Sequence, residues 1–205
     1  MIRLYRAAYS TNVERVALAL AHKGLAVESV TIDYGDRSQV ERVSGQGLVP
    51  VIEDGGRVVV DSMDIVSYLE ERYPEPPLYP SDEARRVEMH IFIDWFNQVW
   101  KRPPNDIEAE LDRPAPDHER IARLAGQMEA ALGHFESLLG GRSHLMGDDF
   151  SAADCAAFPF LKYAAFRDPG DDEHFHRILD EHQQLGDHLP RLGDWIRRVD
   201  ERPRA

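Results

Sequence analysis

Four prolines fall within seven residues at Pro74-Glu75-Pro76-Pro77-Leu78-Tyr79-Pro80. Proline removes a backbone donor and fixes φ, so neither a helix nor a ladder strand runs through such a stretch. It is a stiff, extended connector, and it separates two unlike parts of a chain of 205 residues. Before it, strand and helix patterns alternate. Ile2 to Tyr5 reads as a short strand, and Thr11 to Lys23 as a helix with Val13, Val16, Ala17, Leu18 and Leu20 on its apolar face. Gly24 stands where a helix stop is expected. Val27 to Ile32 alternates like a half-buried strand, and Arg37 to Val43 is a short, weakly patterned helix. Val51 to Glu53 and Arg57 to Val60 form a hairpin around Asp54-Gly55-Gly56, followed by a helix over Ser62 to Tyr73. After the connector every pattern is helical: Ser81 to Arg102, ending before Pro103-Pro104; Asp117 to Leu139; Ser151 to Phe166, with a kink at Pro159; Asp172 to Gln184; and Leu189 to Glu201. The expected domains are residues 1–73, a linker over 74–81, and an all-helical domain over 82–205.

Composition narrows the class. A hydrophobic fraction of 42% and a charged fraction of 30% suit a globular chain. The net charge of −13 opposes nucleic-acid binding, which depends on Lys and Arg neutralising phosphates. No apolar run approaches the roughly 20 residues that span a bilayer. The chain opens on a strand pattern without a signal-peptide core, so a cytoplasmic location is expected. The single cysteine, Cys155, excludes an internal disulfide and a dithiol centre.

The segment Leu48-Val49-Pro50-Val51 is unusual, because a proline at a strand entrance marks a special backbone position, a cis bond among the options. Eleven residues after Pro50, Asp61-Ser62 sits where a strand gives way to a helix, and helix N-termini bind anions. Together with Ile65-Val66-Ser67-Tyr68-Leu69, this order resembles the glutathione transferase superfamily. The start agrees: a strand, then Ser10-Thr11-Asn12-Val13-Glu14-Arg15-Val16, in which Arg15-Val16 follows Ser10 by five positions as in the zeta, tau and omega classes. Phe150-Ser151-Ala152-Ala153-Asp154 is similar to the superfamily's capping box and hydrophobic staple. The resemblance covers nearly the whole chain. It implies a thioredoxin-like α+β domain of order βαβαββα, an all-α second domain, and a homodimer.

The resemblance also implies roles. Ser10 would activate the thiol of glutathione, the co-substrate. Asn12, Val49, Pro50, Asp61 and Ser62 would hold that ligand, with the Val49 backbone pairing like an added strand and Asp61-Ser62 taking the γ-glutamyl end. Tyr9, Phe96 and Trp100 would line a pocket for an apolar electrophile. The residues themselves leave Ser10, Thr11, Asn12 and Tyr5 open as the activating group. Thr11 with Glu14 reads as the better capping box, which would leave the Ser10 hydroxyl unengaged. Leu48 stands where related chains carry a polar residue, with Gln46 or Arg37 as substitutes. Transfer of the glutathione thiolate is the expected activity. A zeta-like isomerisation and a non-catalytic scaffold are the alternatives.

Other polar residues have plainer readings. Ser151 and Asp154 form a structural capping box, with Cys155 packing under Phe150. His90, His118, His134, His144, His174, His176, His182 and His188 read as solvated faces rather than metal ligands. Asp168-Pro169-Gly170-Asp171-Asp172-Glu173 reads as an acidic loop whose spacing fits no calcium site. No metal is expected.

Overall fold

The computed structural model describes residues 1–33 and 35–205. It falls into two compact units, one of residues 1–79 with 202–205, the other of residues 80–201.

The first unit runs β1 (Ile2–Arg6), α1 (Thr11–His22), β2 (Val27–Thr31), α2 (Ser38–Ser44), β3 (Val51–Asp54), β4 (Arg57–Val60) and α3 (Ser62–Arg72). This is the βαβαββα order. The sheet order is β2-β1-β3-β4. β1 pairs parallel with β2, opposite Val27 to Thr31, and antiparallel with β3, where the ladder ends at Tyr5 opposite Val51. A parallel β1–β2 pair requires the crossover that α1 supplies. Leu4, Val16, Leu20, Ile52, Ile65 and Leu69 are fully buried. α1 stops in a Schellman arrangement: Gly24 has φ 62°, its N–H bonds Ala21 O at 3.0 Å, and Leu25 N–H bonds Leu20 O at 3.1 Å. The adjoining Lys23 ammonium is buried and donates to Glu70 Oε2 at 2.7 Å and to the carbonyls of Tyr73 (2.7 Å) and Pro76 (3.0 Å). Glu70 accepts in turn from the amides of Leu78 and Tyr79. The proline-rich connector thus has its backbone groups satisfied by one buried ion pair, where no ladder could satisfy them.

The second unit holds α4 (Glu83–Trp95), a π-helical turn over Phe96–Trp100, α5 (Arg102–Leu111), α6 (His118–Leu138), α7 (Ala152–Leu161) with a 3₁₀ turn over Lys162–Ala164, α8 (His174–His182) and α9 (Pro190–Asp200). One expectation is corrected here. The helix predicted to stop before Pro103-Pro104 is followed at once by α5, whose first turn carries both prolines. Proline is accommodated there because the first helical amides lack intrahelical partners anyway. α7 is buried along its whole length, Pro159 included. Asp154 joins four donors: the Ser151 amide (2.9 Å), the Ser151 hydroxyl (2.8 Å), the Leu145 amide (3.1 Å) and the Trp195 indole (2.8 Å). With the reciprocal capping box at Ser151, this carboxylate ties α7 to α9 and to the loop before α7.

Candidate functional site

The start of α1 differs from its expected form. Ser10, not Thr11, is the N-cap, with φ −62° and ψ 113°, and its Oγ accepts from the Val13 amide at 3.3 Å. Thr11 is the buried first helical residue, so the Thr11–Glu14 capping box does not form. The Ser10 hydroxyl is therefore engaged as an acceptor. A hydroxyl has one donor as well as its lone pairs, so its proton is left for a group outside the helix. Asn12 stands half-buried at the second helical position. Tyr9, immediately before the cap, has φ 58°.

α3 begins in a parallel way. Asp61 has φ 67° and is the N-cap, its Oδ1 accepting from the amides of Met63 (2.9 Å) and Asp64 (3.5 Å). Ser62, the first residue of α3, is buried, and its Oγ accepts from Arg15 Nη1 at 3.3 Å. Arg15 is itself buried on α1, so this bond links the two helix starts. Ser62 too has its acceptor side engaged inward. Tyr9 and Asp61 are the two non-glycine residues with left-handed φ among the described residues. Such conformations cost of order 1–3 kcal/mol and concentrate at functional positions. Both stand at the mouths of these two helices, a signal that residue types alone do not carry.

Val49-Pro50 is a cis peptide bond. Val49 precedes β3, outside the ladder, and its side chain packs on the core cluster of Tyr5, Ile32, Val40 and Val51. Leu48 is 72% exposed. Gln46 donates to the Leu48 carbonyl and accepts from its amide, and Arg37 donates to the Gly47 carbonyl at 2.8 Å. Both suggested substitutes for a polar residue at 48 thus bond the backbone of their own loop. Tyr5 is buried, and its hydroxyl donates to Glu53 at 3.3 Å. Burial, and after it the Glu53 charge, raise its pKa.

A cavity of about 180 Å³ adjoins Ser10, lined among others by Arg6, Tyr9, Glu14 and Arg204. The expected electrophile wall is corrected in part. Phe96 and Trp100 stack at 4.5 Å and are buried among Phe135 and Phe160. Phe96 is core, and Trp100 meets only the floor of a cavity of about 500 Å³ also bounded by Trp95, Val99, Met128 and His134. Across the π-helical turn Phe96 and Trp100, four apart, share the buried face, while Trp95 and Val99, four apart, both border the cavity. Two further corrections concern the histidines and the acidic loop. His144 and His176 are buried, not solvated. Asp171 is also buried: it accepts from the Tyr163 hydroxyl at 2.8 Å and pairs with His176 Nδ1 at 2.8 Å. Burial by itself would raise the Asp171 carboxyl, but the bonds from His176 and Tyr163 outweigh it and hold the pKa below the usual value. Among the described residues no group of histidine, cysteine or acidic side chains is arranged to hold a metal.

The family model for the glutathione S-transferase N-terminal domain matches residues 4–77, and that for the C-terminal domain matches residues 119–198. Maleylacetoacetate isomerase of Pseudomonas aeruginosa is 32% identical over 175 residues, covering 81% of this chain and 82% of that protein. Glutathione S-transferase Z1 of Arabidopsis thaliana is 40% identical over 90 residues, 42% of this chain and 41% of that protein's length. A glutathione S-transferase structure from Rhodospirillum rubrum superposes with a TM-score of 0.76 at 27% identity, covering 99% of this chain and 89% of that one. The fold, the two domain matches and the Pseudomonas relative agree: the chain belongs to the glutathione S-transferase superfamily.

Proposed function

We propose that the chain binds glutathione across the starts of α1 and α3 and transfers its thiolate to a small apolar electrophile. The observation that carries this reading is the Ser10 hydroxyl: it accepts from Val13, so its proton is available to an outside acceptor. A thiolate is the acceptor that fits, since a free thiol titrates near 8.5 and needs stabilisation at neutral pH. A hydrogen bond that lowers the thiol pKa by one to two units is worth about 1.4–2.7 kcal/mol. The ligand carboxylate goes to the start of α3, where the dipole, the Ser62 hydroxyl and the buried Arg15 guanidinium supply positive potential to a chain of net charge −13. Asp61 takes the ligand ammonium, and the Val49 backbone takes the peptide amide between the two ends. Asn12 lies beside the thiol, and Tyr9 faces the electrophile. The protein adds proximity by holding thiolate and electrophile in register.

A second reading has its own support in the Pseudomonas relative named as an isomerase. On this reading the same thiolate of glutathione adds reversibly to a double bond of the substrate, rotation follows, and the thiolate leaves as the double bond re-forms.

The test is the ultraviolet absorbance of bound thiolate against pH, with protein saturated by glutathione. Ser10→Ala should move the ionisation toward 8.5 while glutathione affinity stays within about twofold, and Ser10→Thr should keep the wild-type value. Because Ser10 is also the N-cap, Ser10→Ala should cost about 1 kcal/mol of stability whatever its chemical role. A stability loss with superimposable titrations would reduce Ser10 to a cap and overturn the reading. A maleyl-type double-bond substrate run beside a chromogenic electrophile separates the isomerase from the transferase.

A further inference from the structure

Residues Arg202–Ala205 follow α9 in sequence but belong to the first unit. Their contacts there are specific. Arg204 donates from Nη2 and Nε to Glu14 Oε1, at 2.9 and 3.2 Å. The Ala205 amide donates to the Ala17 carbonyl at 3.1 Å. Arg6, the last residue of β1, donates to the Ala205 carbonyl at 2.8 Å. Arg202 donates to His22 Nδ1 at 2.9 Å. Glu14, Ala17 and His22 span nine residues of α1, about 12 Å of helix. Arg204 also lines the cavity beside Ser10.

We infer that this segment is a clamp on α1, with Arg204 as a positioning residue that acts through Glu14 to hold the helix turn carrying Ser10. This rests on the reading of Ser10 as the thiol-directing hydroxyl. Glu14 is the residue whose amide bonds the Ser10 carbonyl at 3.0 Å, closing the first turn behind the cap. Its carboxylate and the Arg204 guanidinium are both largely covered, with side chains 15% and 23% exposed, so the pair is shielded more than a surface pair is. On its other side α1 is tied to α3 through Arg15 and Ser62. The first turn is thus gripped from two directions, and the clamp reaches it from outside the continuous βαβαββα run. The chemistry gives this grip its importance. A hydrogen bond to a thiolate depends on hydroxyl placement to within a fraction of an ångström, and misplacement by about 1 Å can cost 100-fold in rate. Ligand binding at α3 is less sensitive, because its groups lie on another helix.

The experiment compares wild type with Arg204→Ala, Glu14→Gln, Ser10→Ala and the swapped pair Glu14→Arg with Arg204→Glu, in the full chain with glutathione and a chromogenic electrophile. The clamp predicts a kcat roughly tenfold lower for Arg204→Ala and Glu14→Gln. KM for glutathione should change less than twofold, and ionisation of the bound thiol should shift partway toward the Ser10→Ala value. The swapped pair should recover kcat at least threefold over either single change. If Ser10→Ala shifts the ionisation but both clamp variants keep wild-type kcat and ionisation, the clamp is overturned and the site reading stands. If Ser10→Ala leaves the ionisation unmoved, the site reading fails and the clamp's catalytic role with it. A lowered melting temperature with unchanged ionisation would assign Arg204 to structure alone and also overturn the proposal. Should Arg204→Ala fail to fold, the milder Glu14→Gln decides.

Discussion

Asp154 illustrates what a single residue tells in advance and what it withholds. The Phe150-Ser151-x-x-Asp154 pattern marks the start of α7 from local sequence, and the box forms. The bonds from Leu145 and Trp195 are not legible in it, because they join residues 9 and 41 positions away. They raise the expected cost of a change. Replacing Asp154 by Asn turns one acceptor into a donor among four donors, and each buried group left unpaired costs about 1–3 kcal/mol. Asp154→Asn should therefore destabilise the helical unit by roughly 3 kcal/mol or more, read as a fall in the urea midpoint at unchanged slope. A change under 0.5 kcal/mol would contradict the shared-carboxylate account. Ser10 has the converse history. Its place before Arg15-Val16 is visible in sequence, but the competition for the cap is not. Thr11-x-x-Glu14 reads as the better start, yet the cap is Ser10, directly after the left-handed turn at Tyr9.

At the scale of elements, strands and helices were legible where their period was regular and were misread where it changed. The run from Ser81 to Arg102 looks like one helix because apolar residues continue through Phe96, Val99 and Trp100. The π-helical turn breaks the 3.6-residue period without any Gly or Pro to announce it. α1 carries a prediction of its own. His22 accepts from Arg202 at Nδ1 and lies 3.1 Å from the Pro77 carbonyl at Nε2. Arginine only donates and a carbonyl only accepts, so these partners select the neutral ring with its proton on Nε2. Burial lowers the His22 pKa from its ordinary 6.5, the Arg202 charge adds to that, and the bond to Pro77 opposes it less strongly. As pH falls below 6.5 the unfolded chain takes up the proton before the native one, so stability rises with pH in that window. The contribution is present above 6.5 and is lost as pH falls toward the depressed native value. The melting temperature of wild type should drop between pH 7.5 and 5.5 more steeply than that of His22→Gln. Parallel curves would show that His22 is not the group responsible.

For the whole molecule, alternation before the prolines and helices after them were enough to read two kinds of unit. What escaped was non-local: which faces stay open, and that the first unit takes in Arg202–Ala205. α4 leaves Val87, Ile91 and, past its end, Val99 more than half exposed. Ile91 and Phe92 border a cavity of about 590 Å³ between α4 and α6. Leu48, Val58 and Val60 are exposed apolar residues of the first unit. Apolar surface on this scale favours association, and most homo-oligomers are two-fold dimers. Sedimentation should give a species of twice 23.4 kDa at micromolar concentration, and Ile91→Glu should move it to the single-chain mass. A wild type that sediments at 23.4 kDa would refute the dimer. The placement of Arg202–Ala205 also sets an order of events during synthesis. Chains emerge at about 5–20 residues per second, and domains generally fold as they appear. The first unit cannot follow that schedule to completion, because its last contacts, on Glu14, Ala17 and His22, are made by residues translated after the entire helical unit. On the ribosome, α1 waits for the rest of the chain.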